Sequence, residues 1–373
     1  MGFWLWKYFR SLKSFATDAQ TEVFPLPKRG MISNLLLEIQ ALSGTANIDN
    51  FLANVLTKVE VIGNGSTVIQ SLDGRQIQAS AAYDDGKMPP DKEMSPSGTC
   101  FGYFDIRFGR YPGDELYALD CSKWDSLELK ITYDMNATGT MTSTGFATTT
   151  GKLSITGLYS PDGAGLSPVG YLKKEEKRVY ASAAGGTEDL PLPSDYPFRR
   201  LLLFAETKLK WPYRAFQYVT ININSGARRP IDNMLGNDLM IFDLAMRGNP
   251  LWYHWKRYYL AANHNTISPP IRWAADGSVG YIGGGATVVL TSFDPNHIRA
   301  TASAATTASI GVRGYAPWGA LAIDLEAQTK KHGLEAMMDA WGFDQTADIH
   351  FEHTQQEAGI AESIVLEQYA TQP

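Results

Sequence analysis

Val59-Glu60-Val61-Ile62-Gly63-Asn64-Gly65, near the start of the chain, has a counterpart in Val219-Thr220-Ile221-Asn222-Ile223-Asn224-Ser225-Gly226. Both are apolar strands that end in Asn/Gly turn residues, a combination that predicts a β-hairpin. Three leucines precede each passage, at residues 35–37 and 201–203. The separation between copies is nearly the same for the leucines as for the hairpins. The sequence therefore predicts two β-domains of one kind in tandem.

The length and composition agree with two β-domains. The chain has 373 residues. That length leaves room for two domains of roughly 150 residues each, and each can bury a sizeable core. Charged residues make up only 19% and aromatic residues 12%. This balance argues against disorder. The net charge of −6 argues against specific nucleic-acid binding, because phosphates attract concentrated Lys and Arg.

The cysteines and the apolar runs indicate the cell compartment in which the chain folds. Cys100 and Cys121 have no zinc-site spacing, and we expect two buried free thiols, with one disulfide as the alternative. A cleavable secretory signal is not evident, and no apolar run reaches the ~18 residues of a membrane span. The sequence therefore predicts folding in a cytosol.

Residues 1–16 have the pattern of a short amphipathic helix, in which an apolar stripe lies opposite basic residues. Such a helix packs on its own domain or a neighbouring subunit, which we favour, or lies in the headgroup layer of an anionic membrane. The predicted membrane- or subunit-contact residues are Leu5, Lys7, Tyr8, Phe9, Arg10 and Leu12.

Short apolar runs separated by Gly- and Pro-rich turns predict strands and few helices, as in a sandwich or barrel. The predicted strands of the first half are 32–40, 55–62, 67–69, 101–108, 127–133 and 153–155. The predicted strands of the second half are 200–204, 216–223, 286–290 and 363–366. The predicted helices are 75–83, 232–246 and a segment around 334–341.

A Gly- and Pro-containing connection at 160–177 predicts the domain boundary, and its charge run, Lys173 to Arg178, is interpreted as a solvated face. The expected division is an N-terminal helix or arm at 1–29, a first domain at 30–168 and a second at 169–373.

Candidate chemistry is sparse in this sequence. His350 and His353 have ligand-like spacing, but on a strand they would point to opposite faces, which argues against a metal site. Asp84, Asp85 and Asp91 lack the spacing of a calcium loop and are expected to be solvated at the surface. Neither a nucleophile elbow nor a phosphate-binding loop occurs. We therefore expect no catalytic residue, no metal ligand and no cofactor.

The densest local cluster of the chain combines aromatic and basic residues at 252–259. Such residues anchor subunit interfaces, and they also stack on sugars or single-stranded nucleic acid. We favour an interface, and the candidate interface aromatics are Trp252, Tyr253, Trp255 and Tyr258. Carbohydrate binding or cleavage is the alternative function.

The order of strand, Asn/Gly hairpin, short helix and further strands, found in both halves, resembles the double jelly-roll major capsid proteins of tailless icosahedral viruses, including bacteriophages. The segments that carry the resemblance are 59–72, 189–191, 199–204, 219–229 and 314–317. It implies a mainly β fold of two tandem eight-stranded jelly rolls with short helices.

The resemblance also implies a structural role without catalysis. Homotrimers of nearly six-sided outline would tile the icosahedral shell of a virion after assembly in the host cytoplasm. Implied partners are other capsid subunits and penton or minor capsid proteins. The N-terminal helix is a candidate contact to an internal viral membrane.

Overall fold

The computed structural model describes residues 3–15, 18–43, 50–94, 98–137, 146–161, 163, 165–206, 211–247, 251–260, 279–283, 288–294, 297–304, 306–314, 316–324 and 346–373. Strands dominate these ranges, as the sequence predicts. The helix predicted around 334–341 lies outside the described residues.

The first half of the chain forms ten strands and two helices in its described ranges. The strands are β1 (Leu5–Ser14), β2 (Ala19–Pro25), β3 (Met31–Leu42), β4 (Leu56–Gly63), β5 (Thr67–Leu72), β6 (Glu93–Met94), β7 (Thr99–Arg107), β8 (Leu119–Asp120), β9 (Leu127–Asp134) and β10 (Lys152–Ser160). The helices are α1 (Leu52–Val55) and α2 (Gly74–Asp85).

The second half contributes further strands and one helix in its described ranges. The strands are β11 (Gly170–Ala181), β12 (Thr187–Leu192), β13 (Phe198–Glu206), β14 (Tyr218–Ile223), β15 (Arg228–Leu235), β16 (Leu251–Leu260), β17 (Val279–Gly283), β18 (Val288–Asp294), β19 (His297–Ala302), β20 (Thr306–Gly314), β21 (Ala320–Asp324), β22 (Ile349–Thr354) and β23 (Ala361–Thr371). The helix is α3 (Gly236–Arg247).

Two jelly rolls with the same strand order make up the body of the molecule. Roll 1 pairs a sheet in the order β1-β10-β3-β7 with a sheet β2-β9-β4-β5. Roll 2 pairs a sheet β11-β23-β13-β21 with a sheet β12-β22-β14-β15. Each strand of roll 2 thus has a counterpart at the same place in roll 1, and α2 and α3 both follow the hairpin of their roll. The predicted tandem of eight-stranded jelly rolls is confirmed.

The elements that do not repeat lie mainly between α3 and β21. There β16, β17 and β20 join β6 in a separate sheet of order β17-β20-β16-β6, and β18 pairs with β19. In roll 1, β8 adds to the edge of the first sheet by pairing with β3.

The two corresponding hairpins have the turns that their residues predict. Asn64 and Gly65 have φ angles of 51° and 73°, and Asn224 and Ser225 have φ angles of 53° and 54°. Two successive residues of positive φ match the right-handed twist of a hairpin, a conformation that Asn and Gly adopt most easily.

The predicted N-terminal helix is wrong. Residues 5–14 form strand β1, which pairs antiparallel with β10. Register shifts between Tyr8 and Arg10 and between Arg10 and Lys13 interrupt the alternation of faces. Bulges of this kind add residues to one strand of a pair. Half-buried side chains therefore recur at Leu5, Phe9 and Lys13, a spacing that imitates a helix.

Two further expectations need correction. The helix expected at 232–246 begins only at Gly236, because residues 228–235 form β15. The charge run from Lys173 to Arg178, interpreted as a solvated face, lies within β11 in the middle of a sheet, and the interpretation is wrong for Lys174, which is buried. The expectation of two buried thiols rather than a disulfide is confirmed for Cys100 and Cys121.

Candidate assembly surfaces and the junction between the rolls

One sheet of each roll continues into the other. Strand β5 of roll 1 pairs in parallel with β11 of roll 2, through Gln70 beside Lys174 and Ser71 beside Glu175. The result is an eight-stranded sheet in the order β2-β9-β4-β5-β11-β23-β13-β21. We call this pairing, together with the helix α2 that covers it, the internal junction.

Helix α2 binds the roll 2 side of the internal junction. Its start is fixed by a capping box, in which Asp73 accepts from the Gln76 backbone N–H and the Gln76 side chain accepts from the Asp73 N–H. Farther along, Ser80 donates to Glu367 over 2.6 Å and Tyr83 donates to the Ala320 carbonyl over 2.7 Å. A helix of roll 1 is therefore held by side chains and backbone of roll 2.

A buried ion cluster lies under α2. It contains three cations and three carboxylates: Lys174, Arg199, Arg200, Asp84, Asp324 and Glu367. Oδ1 of Asp84 lies 2.9 Å from Nη2 of Arg199 and 2.9 Å from Nη2 of Arg200. Nζ of Lys174 lies 3.5 Å from Asp84 Oδ2 and 2.7 Å from Ser80 Oγ.

The charges in this cluster depend on one another. Burial alone would raise the pKa of Asp84, but Arg199, Lys174 and Arg200 reverse that effect and hold the pKa well below its usual range. The Arg200 pKa is raised, since Glu367, Asp324 and Asp84 outweigh the desolvation that would lower it. Removing one member would leave an uncompensated buried charge, which costs far more than an exposed ion pair contributes.

The aspartates that the sequence analysis placed at the surface are structural. Asp84 belongs to the ion cluster, and Asp85 accepts from both Nη groups of Arg107 at 2.8 and 2.7 Å. Asp91 is buried, where it accepts from Gln78 and from the Tyr103 backbone. The expectation of solvated side chains is wrong for Asp84 and Asp91, because partners from other segments of the chain enclose them.

The two histidines lie on β22 and face opposite sides, as predicted. His350 is half-buried, and hydrogen bonds to Asp189 and Asp348 raise its pKa. His353 is buried inside roll 2, where Nε2 lies 2.6 Å from the Tyr180 hydroxyl and 3.1 Å from Glu362 Oε2. This group ties β11, β22 and β23 together.

The residues predicted to contact a membrane or a subunit lie along β1. Among them Tyr8 and Leu12 are exposed, as is the neighbouring Trp6, whereas Leu5 and Phe9 pack partly against the core. Lys7 Nζ lies 5.0 Å from the ring centre of Tyr159. Within the described ranges, none of the helices has the length and apolar character needed to cross a bilayer.

The candidate interface aromatics lie on β16. The backbone of this strand pairs antiparallel with β20, with Trp252 beside Arg313 and Tyr253 beside Val312. It also pairs in parallel with β6 through Lys256 and Arg257. The structure therefore brings the four aromatic positions into one strand of the non-repeating sheet, and their role at an interface stays a prediction.

Sequence reasoning missed the ion cluster and the exposed part of α3, where Ile241 and Phe242 face solvent. A signal for the second was present in the sequence. Helices α2 and α3 begin at Gly74 and Gly236, and aligning these glycines places the apolar pair where α2 carries Ala79 and Ser80.

Comparison with known proteins gives matches at the level of structure alone. No family model matches the sequence, and no curated protein sequence does. The major capsid protein P2 of bacteriophage PM2 is similar, with a TM-score of 0.54 and 11% identity over 99% of this chain and 98% of that one.

Two other viral structures are similar over nearly the whole chain. The atomic structure of Sulfolobus Turreted Icosahedral Virus matches with a TM-score of 0.59 and 10% identity, covering 100% of this chain and 92% of that chain. The PBCV-1 virus capsid matches with a TM-score of 0.51 and 9% identity, covering 99% and 94%.

The chain therefore has the double jelly-roll fold, and the resemblance to major capsid proteins of that fold is confirmed. Both rolls contribute to the match, since it extends over almost the full length of this chain and of the viral chains.

Proposed function

We propose that this protein is a structural major capsid protein, which assembles as a homotrimer of nearly six-sided outline and tiles the shell of an icosahedral virion. One observation carries the proposal: two rolls of identical strand order stand in one chain. Three such chains supply six similar units, and rings of subunits close by symmetry.

The pattern of burial supports a building role rather than a catalytic one. The described polar clusters, such as the ions under α2 and the His353 group, are buried and hold strands together. Large apolar side chains, in contrast, are exposed along β1 and α3. Exposed apolar groups that cluster on a folded chain mark surfaces that other molecules cover.

Other details of the proposal rest on the resemblance. We place the boundary between the rolls near residues 168 and 169, the partners among other capsid subunits and penton or minor capsid proteins, and the final location in the virion after assembly in the host cytoplasm. Trp252, Tyr253, Trp255 and Tyr258 are proposed to anchor subunit contacts.

Light scattering and electron microscopy of the purified chain test this function. We expect a stable trimer and six-sided particles or shells. A chain that remains monomeric at high micromolar concentration would contradict the proposal. Glycan pull-down that depends on Trp252 or Trp255 would instead favour the carbohydrate-binding alternative.

A further inference from the structure

Each roll has two edges at which it could meet the other kind of roll. Within the described part of one chain, only one such junction forms. Strand β5 and helix α2 of roll 1 meet β11 of roll 2. The counterparts of these elements are β15 and α3 in roll 2 and β1 in roll 1. Among the described strands, β15 pairs only with β14 and β1 only with β10, so both present a free edge.

The pairing registers define which residues correspond on the receiving sheet. In roll 2, Lys174 pairs with Glu367, which pairs with Arg200. In roll 1, Trp6 pairs with Leu158, which pairs with Asn34. Asn34 and Arg200 each directly precede the three leucines of their roll. Trp6 thus occupies in roll 1 the place of Lys174, and Tyr8 occupies that of Glu176.

The two helices correspond in the same way. Both begin at a glycine, Gly74 and Gly236, whose missing side chain leaves room for a backbone carbonyl. Three residues later each helix buries an apolar side chain, Ile77 or Leu239, in the core of the molecule.

Beyond that point the helices differ in what covers them. Ala79 and Ser80 of α2 are 0% and 2% exposed, and Lys174 and Glu367 of roll 2 bind the Ser80 hydroxyl. Their counterparts on α3, Ile241 and Phe242, are 51% and 54% exposed. On the receiving side, Lys174 is 2% exposed, whereas Trp6 at the equivalent place is 58% exposed.

We propose that β1 of one copy docks beside β15 and α3 of a second copy and repeats the internal junction between chains. Trp6 then covers Phe242, as Lys174 meets Ser80 within the chain, and Tyr8 comes to Asp238, as Glu176 meets Gln76. This inference rests on the proposed trimer and names the surfaces that close it.

The edge residues of the two strands are complementary. Ile231 pairs with Ile221 as Gln70 pairs with Val61, so Ile231 stands at the position of Gln70. In the repeated junction the backbone of Trp6 lies beside that of Ile231, whose side chain is buried in its own copy, and the next pair brings Lys7 beside Asp232. This contact of opposite charges favours the register.

The internal junction contains buried ions, whereas the proposed junction between copies contains aromatic side chains. This difference fits the way in which each junction forms. The internal junction forms as one chain folds, so its buried charges meet partners on the same molecule. A contact between separate copies has to be stable against dissociation, and buried aromatic side chains are among the commonest anchors of such contacts.

Substitutions at the two exposed aromatic residues test the proposal. We expect Trp6→Glu and Phe242→Glu each to raise the concentration at which trimers dissociate by at least about 30-fold, measured by light scattering across a dilution series. Circular dichroism should show folded monomers, since both side chains are exposed in one copy. Val179→Glu is the matched control: Val179 is 64% exposed on β11, the strand whose edge β5 already pairs with inside the chain.

A cross-link tests the contact directly. In the double variant Trp6→Cys and Phe242→Cys, mild oxidation should join copies into covalent trimers on a non-reducing gel, while each single variant should not. The native cysteines are buried and do not interfere.

The outcomes separate this inference from the proposed function. If the unchanged protein forms trimers and both glutamate variants form them equally well, the docking surface is wrong and the capsid function stands. If Trp6→Glu abolishes flotation with vesicles of anionic lipid while trimers persist, β1 contacts a membrane and the inference is overturned. If the unchanged protein is monomeric, the proposed function fails as well.

Discussion

Helices α2 and α3 occupy the same place in two rolls of the same strand order, yet one is buried and the other exposes apolar side chains. The difference lies in the neighbours, since α2 rests on roll 2 of its own chain through Ser80 and Tyr83. It teaches that identical topology does not determine surface chemistry. Helix α2 carries polar side chains that bind roll 2 of the same chain. Helix α3 carries apolar side chains, for which we propose a partner in a second copy.

Removal of the Asp84 carboxylate should weaken the contact between α2 and roll 2. In Asp84→Ala, the side chains of Arg199, Arg200 and Lys174 lose a shared carboxylate in a buried site. We expect the free energy of unfolding to fall by about 3–5 kcal/mol, because uncompensated buried charge remains. Chemical denaturation measures the effect.

The control for this variant is Asp348→Ala. The side chain of Asp348 is 64% exposed in its contact with His350. Solvent screens such a contact, so its removal should change the stability little. A loss below about 1 kcal/mol for Asp84→Ala, the range of an exposed pair, would show that the cluster does not hold the junction.

Acid should weaken the same junction. The pKa of Asp84 is lower in the folded than in the unfolded chain. Its stabilisation is therefore complete above the unfolded pKa of about 4 and is lost as the pH falls toward the folded value. Unfolding followed between pH 7 and pH 2 should show a decline below about pH 4. In Asp84→Asn that decline should be smaller. Equal acid sensitivity of both proteins would exclude Asp84 as its source.

The glycines that begin the helices test whether α2 and α3 are true counterparts. A β-carbon would lie 2.4 Å from the Ala53 carbonyl oxygen at Gly74 and 1.9 Å from the Phe216 carbonyl oxygen at Gly236. Gly74→Ala and Gly236→Ala should each destabilise by about 1–3 kcal/mol through overpacking. Thermal unfolding gives the comparison, with Asn237→Ala as the control. A neutral result at one glycine alone would separate the two helices.

The smallest effect on stability is expected at Arg178, the last residue of the charge run that begins at Lys173. Arg178 on β11 lies 2.8 Å from Glu188, but the two side chains are 40% and 32% exposed. Solvent screens such a pair, and Arg178→Ala should cost at most about 1 kcal/mol in the free energy of unfolding, measured by chemical denaturation. A loss as large as that of Asp84→Ala would mean that position along β11, rather than burial, sets the effect.

Repetition made the fold predictable from the sequence. Two hairpins with Asn/Gly turns, each after three leucines, were sufficient to predict a tandem, and the alternation along β22 correctly separated His350 from His353. These signals are local and read directly along the chain.

The failures came from contacts that local patterns do not contain. Bulges in β1 give its half-buried side chains a helix-like spacing, and the sequence does not show that β10 is the strand that pairs with β1. Lys174 looked solvated because its partners, Asp84 and Glu367, lie far from it along the chain, one on each side. The apolar pair Ile241 and Phe242 of α3 is present in the sequence, but its exposure depends on the packing of the folded chain.

The parallel pairing of β5 with β11 has a mechanical consequence. Backbone hydrogen bonds run across eight strands from β2 to β21, so no hinge separates the two rolls along this described sheet. The two halves should tilt as one stiff plate. In a closed shell built from such plates, curvature would be taken up at the borders between copies and not inside a subunit.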